Sequence, residues 1–209
     1  MLTIVACLTI LFASLAALYQ KKIKRFLAYS SINNIGYMLI GLVPGTLNGL
    51  HAFFLYSIMY IIAMFTLFSV ILSIKKANNK NLVYLTDLLF LANVHPVLKI
   101  NFVLTLFALA GIPPLVGFFS KFYIFFAAIE ANQYISVIVG IGCSVISAFY
   151  YIRIIKIINF ERITNLNYDK NQILSSTIAI NIIGIIILCF FILAPNFIMI
   201  KTYQLALLI

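Results

Sequence analysis

Apolar residues in this chain run together for long stretches, and the polar residues gather between those stretches. Six runs are long enough to cross the roughly 30 Å of a bilayer's hydrocarbon as helix: 2–19, 26–43, 50–74, 99–129, 134–158 and 174–200. The fourth has about thirty residues and would reach about 45 Å as one straight helix, too far for a single crossing. Gly111-Ile112-Pro113-Pro114 shows where it must break. Adjacent prolines remove two backbone donors and clash with the preceding turn. The carbonyls left over at that depth can be satisfied only by protein or water. The pattern therefore predicts an all-α integral membrane chain of about six transmembrane helices, the fourth discontinuous. Residues 81–96 are too short and too polar for a seventh span. They read as an interfacial loop or short surface helix, ended by Pro96, within a connection at 75–98. No Gly/Ser-rich linker or low-complexity run marks a second domain.

Composition agrees. The chain is 65% hydrophobic and 9% charged, with a mean hydropathy of +1.16, which excludes an ordinary soluble domain. The net charge of +10 invites a nucleic-acid reading, but the positions of the charges oppose it. With the N-terminus on side A, side B receives Lys21, Lys22, Lys24 and Arg25, then Lys75, Lys76, Lys80 and Lys99, then Arg153, Lys156, Arg162 and Lys170. Side A receives Lys201 alone. This is the positive-inside pattern, so side B is the cytoplasm or its organellar equivalent, and both termini lie on side A. The N-terminus has no cationic n-region and no small-residue cleavage site, so Met1 reads as a true start. Cys7, Cys143 and Cys189 fall within apolar runs without CxxC spacing, the pattern of neither a disulfide framework nor a metal site. Tyr19, Tyr134, Tyr150, Tyr151 and Tyr203 stand near span ends, where aromatic belts form.

One residue breaks the apolar pattern where it should cost most. Lys121 has no charged neighbour from Ile100 to Ile129. An ammonium at bilayer depth costs several kcal/mol (about 3 on insertion scales), so such groups are rare and usually functional. Low dielectric also weakens a lysine's preference for its charged form, which suits it to accepting and releasing a proton. The alternative is snorkelling, but about eight residues, roughly 12 Å of helix, separate Lys121 from the end of its span. An ionisable group beside a broken helix is how transporters build ion sites. A second cluster, Ser30, Ser31, Asn33 and Asn34, lies within the second span. Two readings stand for it: hydrogen bonds between helices, or the lining of a wet path. Lys24 and Arg25, and Tyr150, Tyr151 and Arg153, read as interfacial anchors, Glu130 as a solvated mouth residue or a proton outlet. His51 and His95 lie near interfaces without partners at metal-ligand spacing. No GxGxxG, Walker A, GxSxG or cysteine cluster is present.

Lys24-Arg25-Phe26-Leu27-Ala28-Tyr29-Ser30-Ser31-Ile32 with Gly36-Tyr37, then Leu109-Ala110-Gly111-Ile112-Pro113-Pro114-Leu115-Val116-Gly117-Phe118 with Lys121-Phe122-Tyr123, then Ser144-Val145-Ile146-Ser147 with Phe149-Tyr150-Tyr151-Ile152-Arg153, are informative together. They resemble the antiporter-like membrane subunits of NADH–ubiquinone oxidoreductase, mitochondrial complex I, and within them the chain 2 family. The resemblance implies one inverted-repeat half of such a subunit. Residues 1–160 would be its second five-helix repeat, and 161–209 a matrix-side loop and the final transmembrane helix. It also implies a proton half-channel with Lys121 at its centre, Ser30, Ser31, Asn33 and Asn34 holding water, and Gly111, Pro113, Pro114 and Gly117 making the break. The family commonly has histidine where this chain has Asn34, which cannot titrate. No cofactor is expected on this chain: NADH, FMN, iron–sulfur clusters and ubiquinone would sit on other subunits. Partners implied are a separate chain supplying the N-terminal half, other membrane-arm subunits and membrane lipid, cardiolipin being a plausible ligand of the basic loops; nucleic acid is not among them. The implied location is the mitochondrial inner membrane, with the basic loops in the matrix and both termini in the intermembrane space. A subunit of a multi-chain sodium/proton antiporter and a non-conducting scaffold are the alternatives.

Overall fold

A computed structural model describes residues 1–73, 82–89, 96–113, 115–160, 181–184, 186 and 195–208. Among these residues there are helices α1 (Leu2–Leu18), α2 (Ile23–Leu42), α3 (Leu47–Ser73), α4 (Pro96–Ala110), α5 (Val116–Glu130), α6 (Tyr134–Phe160) and α7 (Pro195–Leu207), and a 3-10 turn at Leu85–Leu89, with no strand. Helices α3 and α6 have 27 residues each, about 40 Å of helix, and are long and apolar enough to cross a membrane. The expected fourth span is two helices, α4 and α5, joined through the Gly111–Leu115 break.

The connection before α4 is tied to the start of α2. Lys22, extended at φ −91° and ψ 131°, has no side-chain cap bond. Instead Ile23 N donates to Val83 O and Leu85 N to Lys21 O, both at 2.9 Å, around an isolated antiparallel bridge between Lys22 and Tyr84. Asp87 Oδ2 accepts the Val83 and Tyr84 amides at 2.9 Å and starts the 3-10 turn. Leu85 and Leu88 then bury against α6. Residues 74–81 and 90–95, His95 among them, lie outside the described residues, as do Arg162, Lys170 and Cys189 of the later expectations.

Two boundaries differ from expectation. Pro96 opens α4 instead of closing the segment before it, because a missing N–H costs nothing at a first helical position. Helix α7 continues to Leu207, past the expected end at residue 200. Lys201 does not stop it: the ammonium is exposed and donates to Gln204 Oε1 at 3.5 Å, and Thr202 Oγ1 donates to Ile198 O and Met199 O at 2.9 and 3.0 Å.

The interior has three levels. On side B, Phe26, Leu67, Leu98, Phe102, Ile154 and their neighbours form one apolar cluster. On side A, Ile10, Tyr37, Ile40, Ala52, Ile124 and Val137 form another. Between them lie Ser30, Asn33 and Asn34 of α2, Ser120 and Lys121 of α5 and Ser147 of α6, every one at most 5% exposed. Helix α2 touches α1, α3, α5 and α6 and so carries this polar level through the bundle.

Helices α4 and α5 approach so closely that a Cβ on Gly117 would collide with the carbonyl of Ala108. Gly117→Ala is therefore expected to cost about 1–3 kcal/mol through overpacking. A Cβ on Gly142 meets nothing within 4 Å, so Gly142→Ala should gain up to about 1 kcal/mol of helix propensity. Thermal unfolding followed by loss of helical circular dichroism should separate the two variants in opposite directions; equal midpoints would contradict the close approach.

Candidate functional site at the helix break

Helix α4 ends on Gly111, whose φ of +82° lies in the left-handed region open to glycine. Gly111 N donates to Phe107 O and Ala108 O, both at 3.1 Å, and Ile112 N to Phe107 O at 3.3 Å. Two carbonyls follow without helical donors. In a continuous helix Leu109 O would accept from residue 113 and Ala110 O from residue 114, and both residues are proline. Lys121 supplies what is missing: its Nζ donates to Ala110 O at 3.0 Å and to Leu109 O at 3.4 Å. The side chain is 5% exposed, so it does not snorkel; it turns back from α5 onto the end of α4. Its Nζ stands 4.9 Å from the centroid of Tyr37, within cation–π range. Gly111 is needed a second time here, since a Cβ at that position would lie 3.0 Å from Lys121 Cδ and 3.2 Å from Nζ.

Beside the ammonium is a cavity of ≈ 20 Å³, lined among others by Tyr56, Tyr60, Gly117, Ser120 and Lys121. That is room for about one water. On its far side Tyr56 Oη donates to Asn34 Oδ1 at 2.7 Å. Asn34 Nδ2 donates to Ser30 O at 2.8 Å and to Tyr151 Oη at 3.5 Å. Asn33 Nδ2 donates to Tyr150 Oη at 3.2 Å, and Tyr37 Oη to Gly140 O at 3.2 Å. Asn33 Oδ1 is buried without a protein partner. The level therefore holds one cation, several neutral hydroxyls and amides, and a space for water.

The expected site residues divide between these parts. Lys121, Gly111, Pro113 and Gly117 meet at the break; Pro114 lies outside the described residues. Asn33 and Asn34 join the tyrosine network. The Ser30 and Ser31 hydroxyls donate to carbonyls of their own helix, Leu27 O at 3.2 Å and Ala28 O at 2.7 Å. Tyr150 and Tyr151 are a correction. Expected at the interface, they are 2% and 1% exposed, because their side of α6 packs on α2, where they meet Asn33 and Asn34. Arg153 keeps its interfacial place, exposed, with Nη1 donating to Leu18 O at 3.1 Å. Glu130 is an exposed mouth residue that accepts from Asn48 Nδ2 at 2.8 Å. The His51 ring packs edge-on against Tyr123 and Tyr203 in a separate contact of α3, α5 and α7. Sequence reasoning missed Tyr56 and Tyr60 altogether. Their signal was available, since both sit in mid-span at i, i+4 and so share one helix face.

Residues 1–147 match the family described as NADH:quinone oxidoreductase/Mrp antiporter, transmembrane. NADH-ubiquinone oxidoreductase chain 2 of Marchantia polymorpha is 37% identical over 205 residues, which cover 95% of this chain and 40% of that protein. A chain of respiratory complex I from Thermus thermophilus superposes with a TM-score of 0.81 at 28% identity, over 95% of this chain and 44% of its own length. A chain of the Mrp complex from Dietzia sp. DQ12-45-1b superposes with a TM-score of 0.78 at 18% identity, over 98% of this chain and 46% of its own, a likeness of fold alone. The chain thus spans less than half the length of each of these relatives.

Replacing Lys121 by methionine keeps the stem and removes both donors. Each stranded carbonyl should then cost about 1–3 kcal/mol. In a Pro113→Ala/Pro114→Ala background the same replacement should cost less, because the backbone regains the two N–H groups. Thermal midpoints of the four proteins measure this coupling. Additive losses would show that the lysine does not stand in for the proline donors.

Proposed function

The chain belongs to the NADH:quinone oxidoreductase/Mrp antiporter membrane family, and on that premise we propose that it works as the C-terminal part of chain 2 in proton-pumping NADH:ubiquinone oxidoreductase. In this reading it is an integral membrane, non-redox subunit that contributes a proton half-channel centred on Lys121. NADH, FMN, iron–sulfur clusters and ubiquinone belong to other subunits, and coupling to them is electrostatic. The reading rests on one observation above the rest: an ammonium buried on the two carbonyls of a broken helix, next to a water-sized cavity.

Lys121 takes a proton along the axis of the polar level and passes it on. The cavity admits the water that carries it, and Tyr56, held by Asn34, orients that water. Asn34 itself holds no exchangeable charge, so it acts as a positioning residue. Bonds from an ionised donor are roughly twice as strong as neutral ones. Protonation of Lys121 therefore tightens the joint between α4 and α5, and deprotonation loosens it. The location in this reading is the mitochondrial inner membrane; the distribution of basic residues supports its orientation, with side B in the matrix and both termini in the intermembrane space. The other repeat is assigned to a separate polypeptide seated on α1, α5 and α6, whose outer faces carry Phe12, Phe122 and Phe149 at 69, 52 and 64% exposure. The remaining membrane-arm subunits and lipid complete the surroundings.

A second reading, a non-conducting scaffold, draws on Asn34: both ends of its amide are already bonded to protein groups. A multi-chain sodium/proton antiporter would share the fold. Copurification with redox subunits and NADH oxidation separates the last from the first. Lys121→Ala in a genetically tractable relative is expected to lower the protons pumped per NADH oxidised. Unchanged stoichiometry in an assembled enzyme would refute the conducting role and leave the scaffold.

A further inference from the structure

The side-A end of α3 carries a titratable group that the polar level does not use. His51 is half-buried in the first turns of α3. Its ring packs edge-on against Tyr123 of α5 and Tyr203 of α7, with centroids 5.9 and 5.8 Å away. A hydrogen bond joins it to the backbone of Met199 in α7. We propose that His51 is a pH-sensitive clasp: neutral, it fastens α7 to α3 and α5, and protonated from side A it lets α7 go. The clasp requires no proton transfer through Lys121 and stands or falls separately from the proton-channel reading.

The two ring nitrogens are not equivalent. Nε2 is buried without a hydrogen-bond partner, so the bond to Met199 falls to Nδ1. A neutral imidazole has one donor and one acceptor nitrogen, and here Nδ1–H donates to the Met199 carbonyl while Nε2 is a bare acceptor. Protonation makes Nε2 a second donor and adds a charge. A charged donor buried without an acceptor costs more than a bare neutral acceptor. The groups facing the ring offer it little. Tyr123 comes from α5 and Tyr203 from α7, both neutral phenols. On α3 itself Asn48, one turn nearer side A, holds Glu130 Oε2 at 2.8 Å. Lys201, two residues before Tyr203, is exposed and turned to Gln204.

Protons therefore favour whichever arrangement solvates the imidazolium. The clasp holds at neutral pH and yields as the pH falls. Met199 is the residue on which it closes, since Tyr123 Oη also donates to Met199 Sδ at 3.6 Å. Beneath that joint, Ile198 and Met199 pack on Leu55, Met59 and Val116, each at most 3% exposed. Met59 and Val116 are also among the residues that wall the cavity beside Lys121. Helix α7 thus covers part of the wall of that cavity, and acid on side A acts on the cover from outside the polar level.

The test is hydrogen–deuterium exchange of α7, followed by mass spectrometry on the intact assembly in lipid nanodiscs. Rates are taken at about pH 7.5 and about pH 5.5, either side of the ordinary imidazole range. They are corrected for the intrinsic pH dependence of exchange and referred to α6 as an internal standard. Wild-type α7 should exchange roughly ten-fold faster at the lower pH, the size expected for one buried donor left unpaired. His51→Gln keeps an N–H for Met199 and cannot charge, so its rate should be the same at both pH values. Glu130→Gln removes the nearby carboxylate and should retain the wild-type step. A wild-type rate that does not change with pH would overturn the proposal. So would a step that survives in His51→Gln, or one that disappears in Glu130→Gln and so belongs to the carboxylate.

Discussion

One amine holding two carbonyls organises this bundle. Leu109 O and Ala110 O lose their helical donors because prolines occupy the positions four residues on, and the donors return from Lys121, a full helix segment later. Each partner would be costly alone: a charge at that depth is rare, and bare carbonyls in hydrocarbon are not tolerated. Together each removes much of the other's penalty. The pairing also fixes how α5 sits on α4, which is why Gly117 must lie against Ala108 and why Gly111 must lack a side chain beside the lysine stem.

The rest of the polar level follows from that fixed point. With α5 pinned, Tyr37 of α2 comes under the ammonium, and α2 carries Asn33 and Asn34 to the tyrosines of α3 and α6. Apolar clusters above and below exclude solvent, so these bonds operate in a low-dielectric layer where they are strong and where an unmet polar atom is costly. Asn33 Oδ1 is such an atom.

Much of this was legible from residues alone. Run lengths identified the spans up to residue 160, and the pair of prolines located the break, because both signals are local and arise from backbone chemistry. Lys121 stood out because nothing charged surrounds it in the sequence. What stayed hidden needed the third dimension. Tyr150 and Tyr151 read as belt residues because tyrosine near a span end usually is one; only the packing of α6 on α2 places them inside. The pairing of Tyr56 with Asn34 joins two helices whose relative rotation no periodicity specifies. Pro96 is ambiguous for a related reason: a proline marks a helix boundary without saying which side of it is helical.

An ammonium carries three N–H groups, and the carbonyls of Leu109 and Ala110 engage two of them. The third is surplus to the structural task, and it is the one a base could remove. An amine that gave it up would still have two hydrogens for the same two carbonyls, so in the proposed conducting role the brace and the cargo need not be the same proton. A single side chain can in this way stay clamped while its charge comes and goes, which would spare the two half-helices from having to come apart at every exchange.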